Sequence, residues 1–122
     1  MGKILIVMEE EILLEKFLNY AIEAGYDAFG FLWKDIETLE NKLKDIDSVE
    51  ILVLEIESPD LNVKKFIRKV KEKFKNCKIL AIFSKMDELI EEFIIDFSID
   101  LYLTFPVLPS QFLRSLHMLE KI

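Results

Sequence analysis

The sequence predicts a doubly wound α/β domain, a (βα)5 chain folded around one parallel five-stranded sheet. Three observations carry this. Short, continuous apolar runs recur and read as strands buried on both faces. Each run is followed by a segment with apolar residues at helical spacing. The alternation persists over all 122 residues with no linker, repeat or low-complexity stretch, so one domain, 1–122, is expected.

The elements follow in order. Lys3–Val7 (KILIV) is the first strand. Glu10–Ala24 carries Leu13, Leu14, Phe17, Leu18, Ala21 and Ile22 on one helical stripe, and Gly25 stands where a helix C-terminus favours glycine. Asp27–Leu32 is a Phe-rich second strand. Ile36, Leu39, Leu43 and Ile46 space a second helix, and Val49–Ile56 is the third strand. Phe66, Ile67, Val70 and Phe74 mark a third helix that breaks near Asn76. Lys78–Ser84 is the fourth strand, and Leu89, Ile90, Phe93, Ile94 and Phe97 mark the fourth helix. Leu101–Thr104 is the fifth strand. Pro109 sits in the first turn of a last helix, a position proline favours, and Phe112, Leu113, Leu116 and Leu119 line that helix. Parallel strands joined by helices require right-handed crossovers with helices on both faces. Ligands in such sheets bind at the carboxyl ends of the strands. The residues at those ends are Met8–Glu10, Glu55–Glu57, Phe83–Ser84 and Phe105.

Composition narrows the function. Net charge is −7 and the pI about 4.8, which disfavours general binding to a phosphate backbone. The Met1–Val7 stretch is too short for a signal peptide, and no apolar run approaches membrane length, so a soluble, cytoplasmic protein is expected. Cys77 is the one cysteine; it excludes an internal disulfide and reads as a small apolar residue in a turn. His117 has no partners placed nearby and reads as a surface or interface residue. Lys64, Lys65, Arg68, Lys69, Lys71 and Lys73 make the third helix basic, either as a solvated face or as a dock for an acidic partner.

Four segments carry a resemblance. KILIVMEE, NYAIEAGYDA, LVLEIESP and LYLTFPV together resemble the CheY-like receiver domain of two-component response regulators, over essentially the whole chain. The resemblance implies a flavodoxin-like, CheY-like fold and a place in phosphorelay signalling. It also implies a site. The family phosphorylates an aspartate with the help of an acid pair that holds Mg2+, a Thr or Ser hydroxyl, and a lysine. Here the acid pair corresponds to Met8 and Glu9, the phosphoacceptor to Glu55, the hydroxyl to Phe83 and the lysine to Phe105; Tyr102 matches the switch aromatic.

None of the five chemical positions is unchanged. A thioether is a soft ligand and cannot serve Mg2+. The extra methylene of Glu55 misplaces its carboxylate, and about 1 Å of misplacement can cost on the order of 100-fold in rate. Two phenylalanines remove a hydroxyl and a cation from chemistry that depends on positioning and charge stabilisation. The expectation is therefore a degenerate pseudo-receiver: not an enzyme, with no cofactor, acting by protein–protein interaction. A histidine kinase or an effector protein is the expected partner class, with the helix 4–strand 5–helix 5 face as a candidate for homodimer formation. Ile90, Phe93 and Ile94 either contribute to that face or fill the core, because helical spacing alone does not assign which of them points outward. Two other readings stay open. Glu55 accepts a phosphoryl group with weak Mg2+ at Glu9 and Glu55, or the altered pocket senses a small molecule. Phe83 and Phe105 either stack across the pocket mouth or fill separate parts of the core, and Tyr102 is expected to hold one rotamer.

Overall fold

A computed structural model describes residues 3–122; Met1 and Gly2, the start of the stretch read for a leader, lie outside it. Five parallel strands form one sheet in the order β2-β1-β3-β4-β5: β1 (Lys3–Met8), β2 (Asp27–Leu32), β3 (Ile51–Ile56), β4 (Lys78–Phe83) and β5 (Leu101–Thr104). The helices are α1 (Glu11–Glu23), α2 (Ile36–Lys42), α3 (Leu61–Lys73), α4 (Glu88–Asp96) and α5 (Pro109–Glu120). This is the flavodoxin-like order. Its switch point, where the chain reverses direction across the sheet, lies between β1 and β3.

The sheet divides the core into two layers. Leu5, Leu52, Leu54, Ile79, Ala81 and Phe83 pack against α2, α3 and α4. Ile4, Ile6, Met8, Val53, Leu80 and Ile82 pack against α1 and α5. Alternation along each strand produces this division, and burial on both faces explains why β1, β3 and β4 read as unbroken apolar runs. The edge strand β2 is only partly buried. Gly30 there leaves room for α1: a Cβ would come within 2.6 Å of Leu14 Cδ1 and 3.2 Å of the Ile6 carbonyl.

Local chemistry sets the helix ends. Asp60 and Asp87 accept hydrogen bonds from the backbone N–H groups of Val63 (3.0 Å) and Ile90 (2.9 Å), capping α3 and α4. α1 ends in a Schellman motif at Gly25, with φ 95° and bonds from Gly25 N–H to Ile22 O and from Tyr26 N–H to Ala21 O. α4 ends in the same motif, but with Ser98 at φ 52° in the glycine position.

The second helix departs from the expected span. It stops at Lys42, and Leu43–Asp45 forms a 3-10 turn. Leu43 and Ile46 stand three residues apart, a spacing that suits the tighter turn.

Candidate functional site

The carboxyl ends of β1, β3, β4 and β5 converge at one end of the sheet. Glu55 lies on β3 and Glu9 directly follows β1, so the switch point brings two carboxylates together. Their relation is specific: the backbone N–H of Glu9 donates to Glu55 Oε1 at 2.8 Å. One oxygen of the Glu55 carboxylate is thus used to tie β3 to the loop after β1.

Burial is the main cause holding both carboxyls above their ordinary range. For Glu9, the carboxylates of Glu57, Glu55 and Asp60 raise it further. For Glu55, the hydrogen bond from Glu9 N–H opposes burial, while Glu10 and Glu57 raise it. Raised values in the folded state mean that the native protein holds protons more tightly than the unfolded chain. This contribution to stability is fully present below the unfolded-state pKa and is lost as pH rises through the folded-state one. Glu55→Gln keeps an oxygen for the Glu9 N–H and removes the charge. It is expected to raise stability at pH 7 and to flatten the fall in stability between mildly acidic and neutral pH. Urea unfolding across that range checks it; an unchanged slope would count against the burial argument.

The other positions are apolar. Met8 is fully buried in the α1–α5 layer. Phe83 is fully buried in the opposite layer and meets Phe93 edge-on, ring centroids 6.3 Å apart. Phe105 is partly buried and packs on the α1–α5 side. The two phenylalanines therefore do not stack across the pocket mouth. Only their backbones meet, Phe105 N–H to Phe83 O at 2.9 Å, because the sheet separates their rings. The peptide between Phe105 and Pro106 is cis.

These residues do not fit Mg2+. The ion needs several hard oxygen ligands in octahedral array. Met8 supplies sulfur inside the core, and one Glu55 oxygen is already engaged by Glu9 N–H. Among the described residues, no group of three or more His, Cys, Asp or Glu side chains is arranged to hold a metal.

One residue at the site escaped the sequence reading. Trp33 begins the short 3-10 turn after β2, and its indole N–H donates to the Glu55 carbonyl at 2.6 Å. Its ring meets Phe66 edge-on at 5.7 Å, which fixes it over the end of β3. A tryptophan immediately after a strand, at the carboxyl end of the sheet, was the available signal.

Outside the pocket, Tyr102 is half exposed on β5. Its neighbours Leu101 and Leu103 face the α1–α5 layer, so alternation turns Tyr102 toward the α4 side. The face expected from Ile90, Phe93 and Ile94 needs correction. Ile90 and Phe93 are buried in the core and Ile94 is partly buried against it; the exposed apolar residues of α4 are Leu89 and Ile95. His117 is exposed, with Nδ1 3.8 Å from Glu120 Oε2. Cys77 is buried, and that burial pushes its thiol up to about 12.

No protein-family model matches the chain, and no curated protein matches it in sequence. Solved structures do match. Chemotaxis protein CheY4 of Vibrio cholerae aligns with TM-score 0.82 and 16% identity over 98% of each chain. A response regulator from Thermotoga maritima aligns with TM-score 0.80 and 13% identity, over 99% of this chain and 98% of its own. A protein described as pilus assembly-related, from Burkholderia pseudomallei, aligns with TM-score 0.81 and 16% identity, over 99% of this chain and 90% of its own. The fold is therefore that of CheY-like receiver domains; at these identities the likeness concerns the fold alone. No helix among the described residues is long and apolar enough to cross a membrane.

Proposed function

We propose that this chain is a receiver-like signalling domain that works by docking to a protein partner and does not accept a phosphoryl group. The single observation that carries the reading is the state of the strand ends. A glutamate is tied by Glu9 N–H at 2.8 Å, and buried Met8 and Phe83 stand where the receiver chemistry needs a carboxylate and a hydroxyl. Phe105 brings no cation to the site. A developing phosphoryl charge would meet Glu9, Glu55 and Glu57 with neither metal nor lysine to offset them, and phosphoryl transfer depends on that offset. The structural neighbours that are named as response regulators support the signalling class. The domain carries no catalytic activity of its own in this reading.

Output then runs through surface contacts. The exposed Ile95 on α4 and the half-exposed Tyr102 on β5 give the α4–β5 side an apolar anchor. A histidine kinase or a downstream effector protein is the partner class this side would serve.

Acetyl phosphate with Mg2+ is expected to leave the intact mass unchanged, and partner capture is expected to survive Glu55→Ala but not Ile95→Lys. A single phosphoryl adduct mapped to Glu55 would overturn the reading. So would capture that depends on Glu55 and ignores Ile95.

A further inference from the structure

We propose that the α3–α4 face is self-complementary and pairs two copies of this chain about a two-fold axis, α3 of each lying against α4 of the other. The inference stands apart from the reading of the acid pocket, because it uses no residue of the strand ends.

The charges are segregated by helix. α3 carries Lys64, Lys65, Arg68, Lys69, Lys71 and Lys73 against one acid, Glu72. α4 carries Glu88, Glu91, Glu92 and Asp96 and no cation. The two helices are neighbours in one layer. Between them runs an open groove of about 610 Å3, with Lys64, Arg68 and Lys71 on one wall and Asp96, Phe97 and Ser98 on the other. A second hollow of about 300 Å3 continues it past Leu89, Glu92 and Pro59.

Folding of a single copy accounts for part of these charges: Lys69 pairs with Glu40 of α2, and Lys73 lies over the Phe74 ring. Lys71 is used internally: its ammonium donates to the carbonyls of Phe97 (2.8 Å) and Ser98 (3.4 Å), closing the end of α4. Arg68 lies over the Phe97 ring, 5.1 Å from its centroid. Yet among the described residues no ion pair joins α3 to α4. The helix dipoles explain part of the placement, with Lys71 and Lys73 in the last turn of α3 and Glu88 and Glu91 in the first turn of α4, but not all of it. Lys64 lies in the first turn of α3 and Asp96 in the last turn of α4, each at the end where the dipole opposes its sign.

The pattern selects the occupant. A uniformly acidic ligand drawn to α3 would meet the acidic wall of α4, and a basic ligand would meet α3. The complement of a basic stripe beside an acidic stripe is the same pair turned by half a rotation, which is an isologous contact between identical chains. Glu92 and Asp96 of one copy then face Lys64 and Arg68 of the other, twice over. Leu89, 71% exposed, supplies apolar surface along the hollow that continues the groove.

Sedimentation velocity on the full chain over a concentration series tests this. Association is expected, weakening about tenfold or more between about 0.05 and 0.5 M salt as exposed charges are screened. Two charge-reversed variants, Lys64→Glu/Arg68→Glu and Glu92→Lys/Asp96→Lys, should each sediment as monomers while keeping the circular dichroism of the wild type. Their equimolar mixture should recover the dimer, because both contacts between unlike variants become attractive. A wild type that stays monomeric, a dimer that survives either reversal, or a mixture that stays monomeric overturns the proposal. So does a dimer that only Ile95→Lys disrupts, which would place the contact on the α4–β5 side.

Discussion

Phe83→Thr is expected to lower the unfolding free energy by about 3–5 kcal/mol, the range for deleting a buried aromatic side chain. The ring is fully buried and meets Phe93 edge-on, so its removal leaves a cavity in the layer under α4. The threonine hydroxyl adds to the loss if it finds no partner there. Domains of this kind have about 5–15 kcal/mol in total, so the change takes a large share. It should appear as a fall of roughly 10–20 °C in Tm. Phe83→Leu, which keeps more of the volume, should lose clearly less. A threonine variant within about 1 kcal/mol of wild type would mean that the layer closes over the gap or that water fills it.

Met8→Asp should be comparably harmful, by about 3–5 kcal/mol at neutral pH, because it strands a carboxylate in the apolar α1–α5 layer. Its pH dependence identifies the cause. Burial and the neighbouring Glu9 and Glu55 would raise the new carboxyl above its unfolded value, so the variant should regain stability as pH falls and lose it as pH rises. Met8→Leu, of similar volume, should cost under about 1.5 kcal/mol at every pH. Denaturant midpoints for the three proteins at pH 5 and pH 8 decide the matter; equal deficits for the aspartate variant at both values would exclude a buried charge. Rebuilding a receiver's acid pocket here one side chain at a time is therefore expected to cost stability at each step that replaces a core residue, as at Met8 and Phe83.

The architecture was legible because the two periods in the sequence are clean. Continuous apolar runs such as Ile4–Val7 and Ile51–Leu54 can be continuous only if both faces are buried, and that condition already implies helices on both sides. The end of α1 was legible because the backbone there needs glycine, at Gly25, whereas the Asp60 and Asp87 caps went unread. Helix faces were harder. α4 is apolar at Leu89, Ile90, Phe93, Ile94 and Ile95, which is more than one stripe, so spacing alone could not say that Phe93 points inward and Ile95 outward. The relation of Phe83 to Phe105 was also out of reach. Alternation gives each residue a side relative to its own strand, but the pairing of β4 with β5 and the path after Thr104 decide whether two residues share a side. The 2.8 Å bond from Glu9 to Glu55 depends on two segments that only the strand order brings together.

The division of the core by the sheet bears on how such a site could change at all. The Phe83 ring packs in one layer and the side chains of Met8 and Phe105 in the other, so Phe83 and Phe105 meet only through the backbone bond from Phe105 N–H to Phe83 O. Side chains with no packing partner in common, such as Met8 and Phe83, have nearly additive substitution energies. A substitution at Phe83 is then absorbed by the α2–α4 layer and one at Met8 by the α1–α5 layer, and the two faces of the sheet can vary with little effect on each other.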